Sequence, residues 1–335
     1  MPTETPTATT ETTLYIDAIS RALRDELRSD PSVLLMGQDI AAYGGAFKIT
    51  RGFLDEFGDS RIMNTPIAES GTIGIAVGAA LLGQRPVVEM QFADFISCGY
   101  NQVVNVAAKM YYRTQHAVPL VIRLPAGGGV GAGAFHSQCM EAWFTHTAGL
   151  KVVAPAFAID AYTLLREAIR DPNPVIYLEH KYLYRRQQDV VPAAPPLASA
   201  VHAGARVIRE GSDVTLVSYG WMVHRCQEAA ERLAEDGISV EVIDLRVLAP
   251  LDDATVIESV RKTNKVAIVH EAQVTGGFGA EVAARIADQA IDCLDGPIRR
   301  LGFPDIPVPF HKELEAAVLP DAAKIMREVR ALVAW

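Results

Sequence analysis

Between residues 30 and 185 the chain alternates short unbroken apolar runs with longer stretches whose apolar positions recur every three or four residues. The runs are VLLMG (33–37), PVVEMQF (86–92), VPLVIRLP (118–125), LKVVAPA (150–156) and PVIYLEH (174–180). A strand with one solvated face alternates apolar and polar side chains. These runs do not alternate, so both faces are covered and the order is βα with parallel strands. Helical spacing predicts helices over 71–83, 97–113 and 158–170, the last ending at the turn DPNP.

The pattern lapses over RQQDVVPAAPPLASAVHAGA (186–205), which is rich in Pro and Ala and has no periodic apolar face. A domain boundary belongs there. The rhythm then restarts, with strands at 213–220, 239–248, 265–272 and 297–303 and helices near 222–236, 252–263, 279–290 and 321–333. The fold class expected is α/β with two domains, over 13–187 and 206–335, each a mostly parallel sheet flanked by helices. A linker (188–205) joins them, and a disordered, Thr-rich and acidic tail (1–12) precedes them. At 335 residues, half of them hydrophobic, the chain has material for two cores.

Charge and cysteines narrow the class of partner. A net charge of −9 without a basic block gives no footprint for nucleic acid or an anionic membrane. No apolar run reaches the roughly 20 residues needed to span a bilayer. The opening MPTETPTATTETT lacks the basic start and apolar core of a signal peptide and the arginines of a transit peptide. Cys98, Cys139, Cys226 and Cys293 lie far apart, with no CxxC pair and no zinc-ligand spacing, and are expected to be reduced thiols of a cytoplasmic protein.

One carboxylate stands out. Glu69 opens a segment otherwise built from Gly, Ala and branched aliphatics, TPIAESGTIGIAVGAALLG. A Glu in the first turn of a helix is ordinarily explained by the macrodipole. Gly71, Gly74, Gly78 and Gly83 add something further, because glycine costs helix stability and is tolerated where a ligand or another backbone comes close. Two other glycine-rich strings, GGGVGAG (127–133) and GGFG (276–279), invite a phosphate reading. Neither has the P-loop Lys-Ser/Thr ending or the dinucleotide fingerprint with its downstream acid. His270 and Glu271, beside GGFG, are read as interface or second-domain structure.

At this point the chain resembles a known family. TPIAESGTIGIAVGAALLGQRPVVEMQFADF, FHSQCMEAWFTHTAGLKVVAP, AIRDPNPVIYLEH, SDVTLVSYG, VEVIDLRVLAPLD and HEAQVTGGFGAEV occur in collinear order. Together they look like the β subunit of the thiamine-diphosphate-dependent E1 component of 2-oxoacid dehydrogenase complexes, from about residue 12 to the C-terminus. The resemblance implies a pyrimidine-binding domain followed by a transketolase C-terminal-like domain. It gives Glu69, in TPI-x-E, the hydrogen bond from N1′ of the cofactor's aminopyrimidine. A carboxyl there favours the imino tautomer, whose 4′-nitrogen then removes the thiazolium C2 proton. It places Phe95, in FADF, against the aminopyrimidine ring as a stacking surface. His136, at the end of the glycine-rich loop, takes the role of hydrogen-bond donor or acid in acyl transfer to a lipoyl group. The residue before it is Phe135, where many relatives have His or Tyr. The resemblance extends to a potassium site built from oxygens, mostly main-chain, of Leu120, Ala168, Asp171 and Asn173.

A missing motif decides the assembly that the resemblance implies. The GDG followed about 25 residues later by paired asparagines, which holds Mg²⁺ and the diphosphate, is absent; the nearest string, GDS (58–60), reads as a turn. Those groups are then expected from a separate E1 α subunit, in an α2β2 heterotetramer that hands its acyl group to the lipoyl arm of an E2 acyltransferase. The substrate expected is a 2-oxoacid, with pyruvate and branched-chain acids nearly level. The alternatives are an acetoin dehydrogenase β subunit, the C-terminal half of a split transketolase, or a scaffold that has lost the chemistry. A transketolase would normally read DGPTHQ where this chain has GAFHSQ, and a scaffold would have little reason to keep Glu69, Phe95 and His136 together. An oxidoreductase that binds a dinucleotide would rest on fold class alone.

Overall fold

A computed structural model describes residues 10–193, 195–198, 201 and 203–335. A seven-stranded sheet has the order Val247–Ala249, Lys151–Val153, Val175–His180, Val121–Ala126, Arg85–Glu89, Val33–Gly37, Ile62–Asn64. All neighbours pair in parallel except Val247–Ala249, which joins Lys151–Val153 antiparallel. A five-stranded sheet has the order Arg299–Phe303, Val266–Gln273, Val214–Ser218, Val240–Asp244, Arg206–Arg209, with only the last pair antiparallel. The expected α/β class with two mostly parallel sheets is therefore what the chain adopts. Val33–Gly37, Val121–Ala126, Val175–His180, Val214–Ser218 and Val240–Asp244 are buried at every position, as the lack of alternation required.

Helices cover both faces of each sheet and create two apolar cores, and each core draws side chains from both domains. Tyr15–Ser29, for which the apolar runs gave no element, packs against Ala158–Arg170. Its buried Glu26 carboxylate accepts from Arg166 and Arg170.

Several elements depart from the sequence reading. The tail was expected to run through residue 12 and the linker to begin at 188. Thr10–Leu14 and Gln188–Pro192 instead form a two-stranded antiparallel sheet; residues 1–9 lie outside the described residues. β-Branched residues recur in both segments, and their extended propensity is realised by mutual pairing rather than by an apolar face. The single helix expected over 97–113 is Ile96–Asn101, a π-helical stretch at Gln102–Ala107, then Ala108–Thr114. The single strand expected over 239–248 breaks at Arg246, whose φ is +60°. Beyond the break, Val247–Ala249 crosses to the other domain's sheet. Arg246 is held there by Asp160 of the first domain, whose Oδ1 accepts at 2.7 and 3.1 Å.

Candidate active site

In an open parallel sheet the loops at the carboxyl ends of the strands bind ligands, and every candidate group sits on one. Ile62–Asn64 leads to Glu69, Arg85–Glu89 to Phe95, Val121–Ala126 to His136, and Val175–His180 to a basic segment at 181–186.

Glu69 begins the helix Glu69–Leu81 and is half-buried. Its carboxylate has one hydrogen bond among the described residues, accepting from Gln38 Nε2 at 3.3 Å. The neighbouring helix, which follows directly on Phe95, closes on this turn at Gly99. A Cβ there would lie 2.5 Å from Ile73 Cδ1 and 3.4 Å from the Glu69 carbonyl carbon. The Glu69 and Phe95 elements thus approach closely at Gly99, where a larger residue would require the Ile73 side chain to shift.

Phe95 ends a short 3₁₀ turn, Ala93–Phe95. Its ring lies 5.5 Å from the His136 imidazole, edge to face, and Phe92 lies 4.5 Å from the same imidazole at 88°. The two loops are tied by a pair that sequence reasoning missed. The buried Asp94 Oδ1 accepts from the backbone N–H of Gln138 at 3.2 Å and from its side-chain amide at 2.9 Å. Phe95 and His136 thus share one aromatic cluster, with Asp94 fixing the spacing between their loops.

The glycine-rich loop has its own anchor. Gly129 and Gly131 adopt φ of +77° and +70°, which point their N–H groups to one side as an anion nest. The anion in that nest is Glu315 of the second domain, buried, accepting from both N–H groups at 2.9 Å. Glu271 accepts from the Gly128 N–H and pairs with His180 Nε2 at 2.7 Å. Burial alone would raise the Glu271 carboxyl; His180, the Gly128 N–H and Lys181 together outweigh it and hold the group below the usual range. The phosphate reading of 127–133 fails here because these three N–H groups are already used by carboxylates. GGFG has a packing role. Gly277 and Gly279 close over the buried His270 imidazole, which burial pushes down to about 4.

The Glu315 contact is testable. In Glu315→Gln the amide nitrogen would face one of the two glycine N–H groups and leave a buried donor unpaired, at a cost of about 1–3 kcal/mol. Amide hydrogen exchange over 128–134 should accelerate in the variant while exchange in the central strands stays unchanged. Unaltered exchange in the loop would show that Glu315 does not hold it.

The buried Arg123 cluster is a second feature absent from the sequence reading. Arg123, 1% exposed on a central strand, donates to Glu179 at 2.5 and 3.0 Å and to Glu89 at 2.6 Å. Tyr184 Oη adds a hydrogen bond to Glu179 at 2.7 Å. Burial raises the Glu89 carboxyl, and Arg123 offsets part of that rise.

The expected potassium ligands are only partly free. Ala168, Asp171 and Asn173 lie together at the end of Ala158–Arg170 and the turn that follows. The Asp171 carboxylate is saturated, with Asn173 N and Nδ2 on Oδ1 and Lys151 Nζ and Val201 N on Oδ2. The Leu120 carbonyl accepts from Val175 N at 2.8 Å. Lys151 already supplies the positive charge that Asp171 needs.

Family models match both domains. Residues 12–187 match the transketolase pyrimidine-binding domain and 203–325 the transketolase C-terminal domain. A 2-oxoisovalerate dehydrogenase subunit beta from Bacillus subtilis (strain 168) is 43% identical over 321 residues, covering 95% of this chain and 98% of that one. The chain belongs to the E1 β-subunit family of 2-oxoacid dehydrogenases. A mitochondrial pyruvate dehydrogenase E1 component subunit beta from Dictyostelium discoideum is also 43% identical, over 96% of this chain and 91% of its own length. A solved split-gene transketolase, described as an inactive beta4 tetramer, superposes with a TM-score of 0.75 over 96% of this chain at 22% identity, a likeness of fold alone. The E1 β family is thiamine-diphosphate-dependent, and Glu69 and Phe95 lie in its pyrimidine-binding domain. Among the described residues no helix is long and apolar enough to cross a membrane.

Proposed function

We propose that this chain is the β half of a thiamine-diphosphate-dependent E1 that oxidatively decarboxylates a 2-oxoacid, pyruvate or a branched-chain acid, and passes the acyl group to the lipoyl arm of an E2 acyltransferase. It works with an E1 α subunit in an α2β2 heterotetramer. The observation that carries this reading is the placement of Glu69, Phe95 and His136 beyond the carboxyl ends of three parallel strands of one sheet in a pyrimidine-binding domain, with Phe95 and His136 in edge-to-face contact.

The residues present fit half of the cofactor. Glu69 has a carboxylate engaged by one weak amide contact, so it is free to take a hydrogen bond from the aminopyrimidine and share its proton. Phe95 offers a ring face for stacking. When bound, thiamine diphosphate supplies a carbon nucleophile and an electron sink. His136, braced between Phe92 and Phe95, would hold or deliver a proton during acyl transfer. Nothing in the sequence supplies the GDG motif, so the diphosphate and Mg²⁺ are assigned to the α subunit. Potassium enters the proposal only through main-chain oxygens of Leu120, Ala168, Asp171 and Asn173, since Lys151 neutralises the one carboxylate.

Co-expression with E1 α subunits, followed by assay of 2-oxoacid decarboxylation with thiamine diphosphate and Mg²⁺, tests this reading. Turnover is expected only when both chains are present. A well-assembled complex that binds no cofactor would sink the proposal and favour a scaffold.

A further inference from the structure

A cleft of about 540 Å³ opens beside His136. Phe92 forms its wall and also the edge-to-face contact with the imidazole, so the cleft adjoins the candidate reaction centre. Phe47 and Tyr184, 5.0 Å apart between ring centroids, continue the apolar lining together with Val130 and Ala132 of the glycine-rich loop. Three cations line the same space, Lys181, Arg185 and Arg186, and no carboxylate does.

These cations are unusual in a chain of net charge −9. None has an ion pair within 4.0 Å among the described residues. Lys181 is 6% exposed, and among the described residues its ammonium makes a single hydrogen bond, to the Pro125 carbonyl at 3.2 Å. That ammonium lies 5.9 Å from the Phe92 ring. Burial pushes the Lys181 ammonium down to about 8; Cys139, Asp94, Glu271 and Glu315 act against this from a distance, yet the three carboxylates spend their contacts on Gln138 or on the glycine-rich loop and its neighbours. Arg185 is held by the Phe47 carbonyl at 3.2 Å. Arg186 lies over the Tyr182 ring at 4.0 Å, and Tyr182 is itself stacked on Trp221 at 3.9 Å. A buried ammonium with unmet donors beside two braced guanidinium groups is costly unless an anion completes it. The cleft is concave and of small-molecule size.

We propose that Lys181, Arg185 and Arg186 form a carboxylate subsite that seats the 2-oxoacid substrate, with Phe47, Phe92 and Tyr184 walling its hydrocarbon tail. The assignment rests on the 2-oxoacid dehydrogenase reading above and adds the residues that select the acid. The apolar walls favour a branched acid over pyruvate, by roughly tenfold or more in kcat/KM, since each extra methylene in a fitted pocket discriminates by about that factor.

The test uses the reconstituted α2β2 enzyme carrying Lys181→Met or Arg186→Gln. The first removes the buried charge and keeps the length of the stem. The second alters an exposed side chain that a folding defect would not affect. The KM for 3-methyl-2-oxobutanoate should rise roughly ten- to hundredfold in Lys181→Met, the worth of a hydrogen bond to a charged group, with kcat largely kept. Inhibition by 3-methylbutanoate, which has the carboxylate and tail but no oxo group, should weaken in parallel in both variants. An unchanged KM and inhibition constant in both would overturn the subsite while leaving the dehydrogenase reading intact. So would a loss confined to thiamine diphosphate affinity, which would assign the cations to the diphosphate, or to α–β association, which would assign them to an acidic face of the partner. Failure of the parent enzyme to turn over any 2-oxoacid would instead strike the underlying reading.

Discussion

Glu69→Gln should lower 2-oxoacid decarboxylation by the assembled α2β2 enzyme roughly 10²–10⁴-fold, the contribution of a positioned proton-transfer group. Glutamine keeps the size and one hydrogen-bonding oxygen, but it cannot share a proton with the aminopyrimidine. Little else should change in the protein. The Glu69 carboxylate is half-buried and makes one contact, to the Gln38 amide at 3.3 Å, and a Gln side chain can preserve that contact. The thermal midpoint should therefore stay close to the parent's, and the loss should fall on turnover. Measured kcat at saturating cofactor, compared with melting curves of the same preparations, separates the two. Undiminished turnover would remove Glu69 from the chemistry.

Arg123→Leu is expected to have the largest effect on stability, about 3–5 kcal/mol, because removing one member of a buried ionic cluster leaves the others unpaired. Glu89 and Glu179, both nearly inaccessible, would face one another across the vacated position with only Tyr184 as a donor. The sign of the pH dependence follows from the carboxyls. Burial already raises Glu89 above its ordinary value, and loss of the guanidinium raises it further. A carboxyl whose folded value lies above its unfolded one is favoured while protonated and loses that stability as pH rises through the folded value. The deficit relative to the parent should thus be greater at pH 8 than at pH 5. Urea denaturation at the two pH values reads it directly, and a deficit below about 1 kcal/mol at both would show that the cluster is not held by Arg123.

The regular architecture was readable in the sequence because it depends on local periodicity. The unalternated runs VLLMG and PVIYLEH became strands buried on every residue, and the helix expected over 158–170 has those bounds. The elements that escaped are those fixed by distant partners. Thr10–Leu14 has no apolar face of its own and exists because Gln188–Pro192 pairs with it. The break at Arg246 depends on Asp160, 86 residues away. At the candidate site, Glu69, Phe95 and His136 could be picked out because they lie within recurring motifs. Glu271 and Glu315 could not, since they reach the glycine-rich loop across 143 and 186 residues and nothing near them in the chain suggests a loop to hold. Asp94 and Gln138 are similar, being ordinary polar residues whose importance comes only from meeting.

The antiparallel crossing of Val247–Ala249 also closes an edge of the larger sheet. It covers the backbone of Lys151–Val153, which would otherwise be an open margin of the larger sheet, whereas the opposite margin, Ile62–Asn64, is only three residues long. Unpaired strand margins recruit other strands, and short length is one natural protection against that. A fragment cut within the linker would bare Val152 and Val153, both fully buried in the whole chain, together with their free N–H and C=O groups. The second domain thus shields that margin of the first, and the first domain expressed without it would expose an edge able to recruit other strands.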